Sequence, residues 1–214
     1  MIRAVLFDMD GLLTDSERVY ARGIQAVMDG LGISISDDAI AQALGTTDPV
    51  TDQIFSRGNP RYDGDAMRSA VNDWLVRNGY DRAMPLKPGA EHILRTLTGR
   101  GVLCALVTSS PLSRADNYLG GQGLLSLFSA VITGDLGFPS KPAPDVYLTA
   151  AARLGVPIVD CAVLEDSYNG LRAGRAAGAM TVMVPDLAPY CEEIAPFVDH
   201  LAADLSEAEG ILCP

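Results

Sequence analysis

Short apolar runs and helix-period stretches divide the chain into two kinds of territory. Residues 2–7 form a branched apolar run bounded by Asp8 and Gly11, the pattern of a buried strand. From Ser16 the spacing turns helical, with Val19, Ile24, Val27, Met28 and Leu31 on one face and Gly30 and Gly32 as the stop. Further helices are expected over 37–44, 49–55 and 63–78, with Asp37 and Asp63 as N-caps and Pro49 in a first turn. No strand pattern occurs between residues 15 and 84. After Pro85 helix and strand alternate. Helices are expected over 89–100, 113–119, 145–154 and 171–177, and strands over 102–108, 130–133, 161–164 and 181–184. A short strand near His200 and a terminal helix complete the pattern.

Alternation of this kind predicts an α/β fold, a Rossmann-like parallel sheet covered on both faces. The strand over 2–7 belongs to that sheet although a helical block separates it from the rest. The block therefore reads as an inserted all-helical cap domain over 15–84, in a core built from 1–14 and 85–214.

Composition narrows the functions. The formal charge of −11 argues against nucleic acid and anionic lipid as partners. Apolar stretches such as 102–107 fall far short of the roughly 18 residues of a membrane span. Asp8 and Asp10 interrupt the first apolar run, so it does not read as a secretory signal, and a cytoplasmic location is expected. No protein partner is predicted. Cys104, Cys161, Cys191 and Cys213 lack metal-binding spacing, and Cys104 and Cys161 read as buried strand residues. Only two lysines, Lys87 and Lys141, stand among fourteen arginines. A lysine kept in that background suggests a need for a compact ammonium, which fits Lys141; Lys87 reads as chance.

Ligands of open α/β sheets bind beyond the carboxyl ends of the strands. Four polar clusters fall there: Asp8–Gly11, Thr108–Ser110, Ser140–Pro142 and Glu165–Ser167. One such cluster alone is ordinarily a cap or turn, but four on one rim are hard to explain as capping. Asp8, Asp10, Glu165 and Asp166 together cannot all stay ionised cheaply without a cation. Hard oxygen ligands suit Mg2+, with Lys141 as a further positive charge and Thr108 to Ser110 as an anion cradle at a helix start. Metal, lysine and N–H groups together describe a phosphoryl site.

These clusters resemble the motifs of the haloacid dehalogenase (HAD) superfamily, in the group containing beta-phosphoglucomutase and small sugar-phosphate phosphatases. The resemblance lies in Asp8-Met9-Asp10-Gly11-Leu12-Leu13-Thr14-Asp15-Ser16-Glu17, Leu106-Val107-Thr108-Ser109, Lys141-Pro142-Ala143-Pro144-Asp145 and Leu164-Glu165-Asp166-Ser167, in the family's order and separations. It implies that Asp8 is the nucleophile and Asp10 the general acid and base. It also implies Mg2+ ligation by Asp8, the Asp10 carbonyl and Asp166, with Glu165 direct or through water. Thr108 and the Ser109 N–H resemble phosphate contacts, as does Met9, and Lys141 resembles the bridge between nucleophile and phosphate. Thr14 to Glu17 and Met84 to Lys87 resemble the hinge and return of a mobile cap.

Dehalogenases lack an aspartate two residues after the nucleophile, so Asp10 favours phosphate-ester chemistry. A phosphosugar mutase is the alternative. The mutase pattern has an arginine at the third position after the cap-loop glycine, and Leu44-Gly45-Thr46-Thr47-Asp48 places an acid there. Asp48 facing a second phosphate would repel it, or else it caps the next helix. The mutase's cap histidine falls on Tyr20. The expectation is therefore a phosphatase acting on a small phosphorylated metabolite, a sugar or polyol phosphate. Thr46 and Thr47 are candidate contacts to substrate hydroxyls, or simply turn residues. A non-catalytic binding module on the same fold is disfavoured by the intact set Asp8, Asp10, Lys141 and Asp166.

Overall fold

The computed structural model describes residues 2–43, 48–57 and 59–213. They fall into two compact units, Met1–Asp15 with Ala83–Pro214, and Ser16–Arg82.

The first unit is built on a six-stranded, wholly parallel sheet. Its strands are β1 (Ala4–Phe7), β2 (Leu103–Val107), β3 (Ala130–Ile132), β4 (Cys161–Glu165), β5 (Met180–Met183) and β6 (His200–Leu201), in the order β3-β2-β1-β4-β5-β6. Strand β1 lies in the interior of the sheet, and all of its residues are buried. That explains the near-continuous apolar sequence of a strand covered on both faces. Ala4, Leu6, Ala105, Val107, Ile132 and Val163 share one core cluster with Tyr147 and Ala150. Five helices follow this rhythm: α5 (Ala90–Gly99), α6 (Leu112–Ala115), α7 (Asp145–Leu154), α8 (Tyr168–Ala177) and α9 (Leu205–Leu212).

Strand order reverses direction of growth between β1 and β4, which is the switch point where such sheets bind ligands. Register fixes what meets there. Phe7 lies opposite Leu106 and Leu164, so Asp8 emerges beside Glu165 and one step below Thr108.

The chain leaves this sheet and returns to it through two segments bonded to each other. The Asp15 N–H donates to the Pro85 carbonyl and the Lys87 N–H to the Leu13 carbonyl, flanking an antiparallel bridge between Thr14 and Leu86. Lys87, which the sequence left as chance, is mostly buried, and its Nζ lies 2.6 Å from Asp186 Oδ1 in the loop after β5.

The second unit holds α1 (Ser16–Gly30), α2 (Asp37–Ala43), α3 (Asp48–Ser56) and α4 (Gly64–Arg77). Val19, Ile24, Val27 and Met28 of α1 are buried, as are Met67, Val71 and Leu75 of α4. Trp74 stacks on Tyr80 with ring centroids 5.6 Å apart. Asp63 caps α4 as expected, accepting from the Ala66 N–H.

Three local expectations change. Leu31 lies past the end of α1 and is 59% exposed, because the helix stops at Gly30 before its apolar stripe reaches that residue. Asp37 is the first residue of α2, and Ser36 caps it by accepting from the Ala39 N–H. The expected helix over 113–119 is a single α-turn, α6, followed by a π-turn over Asp116–Gly120. Thr46 and Thr47 lie outside the described residues, as does Leu44, the expected end of α2. No helix among the described residues is long and apolar enough to cross a membrane.

Leu6, fully buried in the interior strand, tests the core. Leu6→Ala is expected to lower unfolding free energy by about 3 kcal/mol, measured by urea denaturation.

Candidate active site

Asp8 follows β1 directly, and its N–H donates to the Leu164 carbonyl, continuing the sheet bonding one residue past the strand. Its carboxylate, that of Glu165 at the end of β4 and that of Asp166 offer oxygens within 4.8 Å of one another. All three residues are buried. Carboxylate oxygens at this separation could hold a divalent cation, and Asp8 and Asp166 lie close enough to share one.

Lys141 reaches the same cluster from the loop beyond β3. Its Nζ donates to Asp8 Oδ1 at 2.6 Å, to Glu165 Oε1 at 2.6 Å and to the Val107 carbonyl at 3.1 Å. These three acceptors match the three protons of an ammonium. Burial alone would lower the Lys141 pKa, but the carboxylates of Asp8 and Glu165 outweigh it and hold the group well above its ordinary value. Burial pushes the Asp8 carboxyl up to about 8; Lys141 pulls it back, while Glu165 and Asp10 push it further up.

Asp10 sits two residues on and is half-buried. Ser110 Oγ donates to its Oδ2 at 2.8 Å, and the Arg114 guanidinium donates to Ser110 Oγ at 3.3 Å. Gly11, between Asp10 and the exit segment, has φ +83° and lies so close to Asp166 that a Cβ there would overlap its carboxylate. Both facts require glycine at this position.

Thr108 is buried at the end of β2, and its N–H donates to the Ile132 carbonyl. Its Oγ1 accepts from the Ser110 N–H at 3.0 Å, so that N–H is committed inside the loop and the expected anion cradle is narrower than the sequence suggests. Ser109 is exposed. The Met9 side chain is fully buried, and its carbonyl accepts from the Leu13 and Thr14 N–H groups and from Thr14 Oγ1. Any contact of Met9 with phosphate must therefore come from its main chain.

Glu165, expected to reach a metal directly or through water, is fully engaged by protein donors. Its Oε1 accepts from Lys141 and from the Tyr147 hydroxyl at 2.6 Å; its Oε2 accepts from the Ser167 N–H at 3.1 Å and Ser167 Oγ at 2.8 Å. Burial, with Glu165 next, raises the Tyr147 pKa well above its ordinary value, so the phenol stays a donor. Ser110, expected only as part of the anion cradle, instead bonds Asp10. Tyr147 is a participant the sequence did not reveal, because a tyrosine at the third position of a helix reads as core.

A haloacid dehalogenase-like hydrolase family model matches residues 2–178. The chain is 35% identical over 201 residues to hexitol phosphatase B of Escherichia coli K12, covering 92% of this chain and 89% of that one. A HAD family hydrolase from Deinococcus radiodurans, solved with bound phosphate and sodium, superposes with a TM-score of 0.84 at 25% identity over 99% of this chain and 95% of that one. Beta-phosphoglucomutase from Clostridium difficile superposes with a TM-score of 0.73 at 22% identity over 99% of each chain, a likeness of fold. The chain belongs to the haloacid dehalogenase-like hydrolases. Within that family it is a phosphatase, a phosphoric monoester hydrolase.

The raised pKa of Asp8 has a consequence for stability. Its ordinary carboxyl value is 3.8 and its folded value about 8, so between them the folded state holds a proton that the unfolded state has released. That contribution is present at low pH and fades as pH rises through 8. In metal-free buffer, the stability of the wild type relative to Asp8→Asn is expected to fall between pH 5 and pH 8.5, read by urea denaturation. A pH-independent difference would mean that Asp8 is ionised throughout.

Proposed function

We propose that this phosphatase uses Mg2+ to hydrolyse a small sugar or polyol phosphate through an aspartyl phosphate on Asp8. The observation that carries the reading is the buried cluster itself: Asp8, Glu165 and Asp166 within 4.8 Å, with Lys141 Nζ 2.6 Å from Asp8. The likeness to hexitol phosphatase B supports a polyol or sugar phosphate as substrate.

In the first half-reaction an Asp8 oxygen attacks phosphorus and the bond to the leaving oxygen breaks. Asp10, oriented by Ser110, gives that oxygen its proton. In the second, Asp10 takes a proton from water, the water oxygen attacks phosphorus, and the acyl phosphate bond breaks to restore Asp8. Lys141 holds the Asp8 carboxylate and faces the incoming charge, while the Thr108 hydroxyl and Ser109 N–H bind phosphoryl oxygens. Asp8, Asp166 and the Asp10 carbonyl would hold Mg2+, which neutralises charge on the transferring group.

The helical unit Ser16–Arg82 serves in this reading as a cap that supplies leaving-group contacts, with Thr46 and Thr47 as candidates. A mutase would need a cation for a second phosphate, and Asp48 and Tyr20 stand where the mutase pattern has arginine and histidine.

Asp8→Asn is expected to abolish turnover while leaving the circular dichroism spectrum unchanged, and substantial remaining activity would remove the covalent mechanism. Asp10→Asn is expected to slow turnover by about 100-fold or more. EDTA should silence the enzyme and Mg2+ restore it, whereas Ca2+ should do so poorly because its looser shell misplaces the nucleophile. A panel of phosphate monoesters, including hexitol phosphates and beta-glucose 1-phosphate with a bisphosphate activator, is expected to yield inorganic phosphate. Isomerisation without phosphate release would establish the mutase instead.

A further inference from the structure

We propose that Tyr147 is a positioning residue, whose hydroxyl fixes the Glu165 carboxylate so that Glu165 anchors the Lys141 ammonium against Asp8. A buried tyrosine in a helix over a sheet is ordinarily core, and here phenylalanine would fill the same volume. The hydroxyl is what needs explaining. It lies in a residue with no exposed surface and donates to Glu165 Oε1 at 2.6 Å, the oxygen that also receives Lys141.

The anchor is constrained on every side. A carboxylate offers about four lone-pair sites. Those of Glu165 face Lys141, Tyr147, the Ser167 N–H and Ser167 Oγ. Behind it lies the first turn of α8, where a Cβ at Gly170 would overlap the carboxylate. The Tyr147 ring supports the ammonium as well, with Lys141 Nζ 5.1 Å from its centroid. Lys141 carries many rotatable bonds, and only its partners define where its charge sits. Without the phenol, Oε1 keeps one donor and Glu165 can follow Lys141 rather than fix it. Tyr147 thus acts at one remove, through Glu165 and Lys141, on the carboxylate proposed to attack phosphorus.

The kinetic part rests on the phosphatase reading; a spectroscopic part does not. Tyr147→Phe keeps the ring and removes the oxygen, so the melting temperature is expected to stay within a few degrees of wild type. With lysine 13C-labelled, the protein gives signals from just two lysines, and Lys87→Arg identifies the one from Lys141. In Tyr147→Phe the Lys141 ε signals are expected to shift and broaden while those of Lys87 stay in place. Turnover should fall about tenfold with KM changed less than about twofold, as for a displaced catalytic charge. Calorimetric Mg2+ affinity should be unchanged, because the phenol acts on Lys141. Lys141 signals that coincide in wild type and Tyr147→Phe would overturn the proposal. So would a turnover loss matched by an equal loss in Tyr168→Phe, a tyrosine bonded to the Pro189 carbonyl instead. If wild type hydrolysed no monoester, the functional reading would fall, and the lysine signals would still decide the role of Tyr147.

Discussion

Like charges held together out of water are the constraint around which the catalytic unit is arranged. Asp8, Glu165 and Asp166 are buried within 4.8 Å of one another, and a single ammonium, Lys141, stands among them. With all of them ionised, that leaves an excess of two formal negative charges in a region where desolvation is expensive. An isolated group so placed would simply take up a proton, which is the direction in which burial pushes Asp8. A site of this kind is stable as an ionised cluster only when a doubly charged ion completes it. The strain is useful because the same neutralising environment suits a phosphoryl group in transfer.

The sheet makes this crowding possible. Growth of the sheet in opposite directions from β1 and β4 leaves their ends adjacent, and register brings Asp8 level with Glu165. Two glycines then remove the steric objection. Gly11 lets the first loop pass against Asp166, and Gly170 lets α8 begin against Glu165. At the opposite side of β1, Thr108 follows β2 and its loop carries Ser110 to Asp10. The acidic and hydroxyl motifs are strand ends, with Lys141 added from the long loop after β3, and the cluster exists because the strands are neighbours.

Much of this was legible in the sequence for a physical reason. Buried parallel strands have to be almost wholly apolar, so 2–7, 102–108 and 161–164 stand out, and the acids and hydroxyls at their ends are out of keeping with such runs. Helix α7 coincides with its expected span because Pro144 precedes it and Gly155 ends it with a left-handed cap. What was not legible depends on distances between segments far apart in the chain. Nothing local distinguishes Tyr147 from an ordinary core tyrosine until Glu165 is placed beside it. Lys87 looked accidental because its partner, Asp186, is 99 residues away. Ser36 rather than Asp37 caps α2 because either residue type suits an N-cap, and the choice between adjacent candidates is made by backbone geometry.

The bridge between Thr14 and Leu86 carries an implication for how such a protein can diversify. Because the outgoing and incoming segments already satisfy each other's main-chain groups, the sheet imposes no particular length or sequence on what lies between them. The intervening helices are in this sense a replaceable module. In the proposed reading, where they supply the leaving-group contacts, editing them would change the substrate while the strand ends stay as they are.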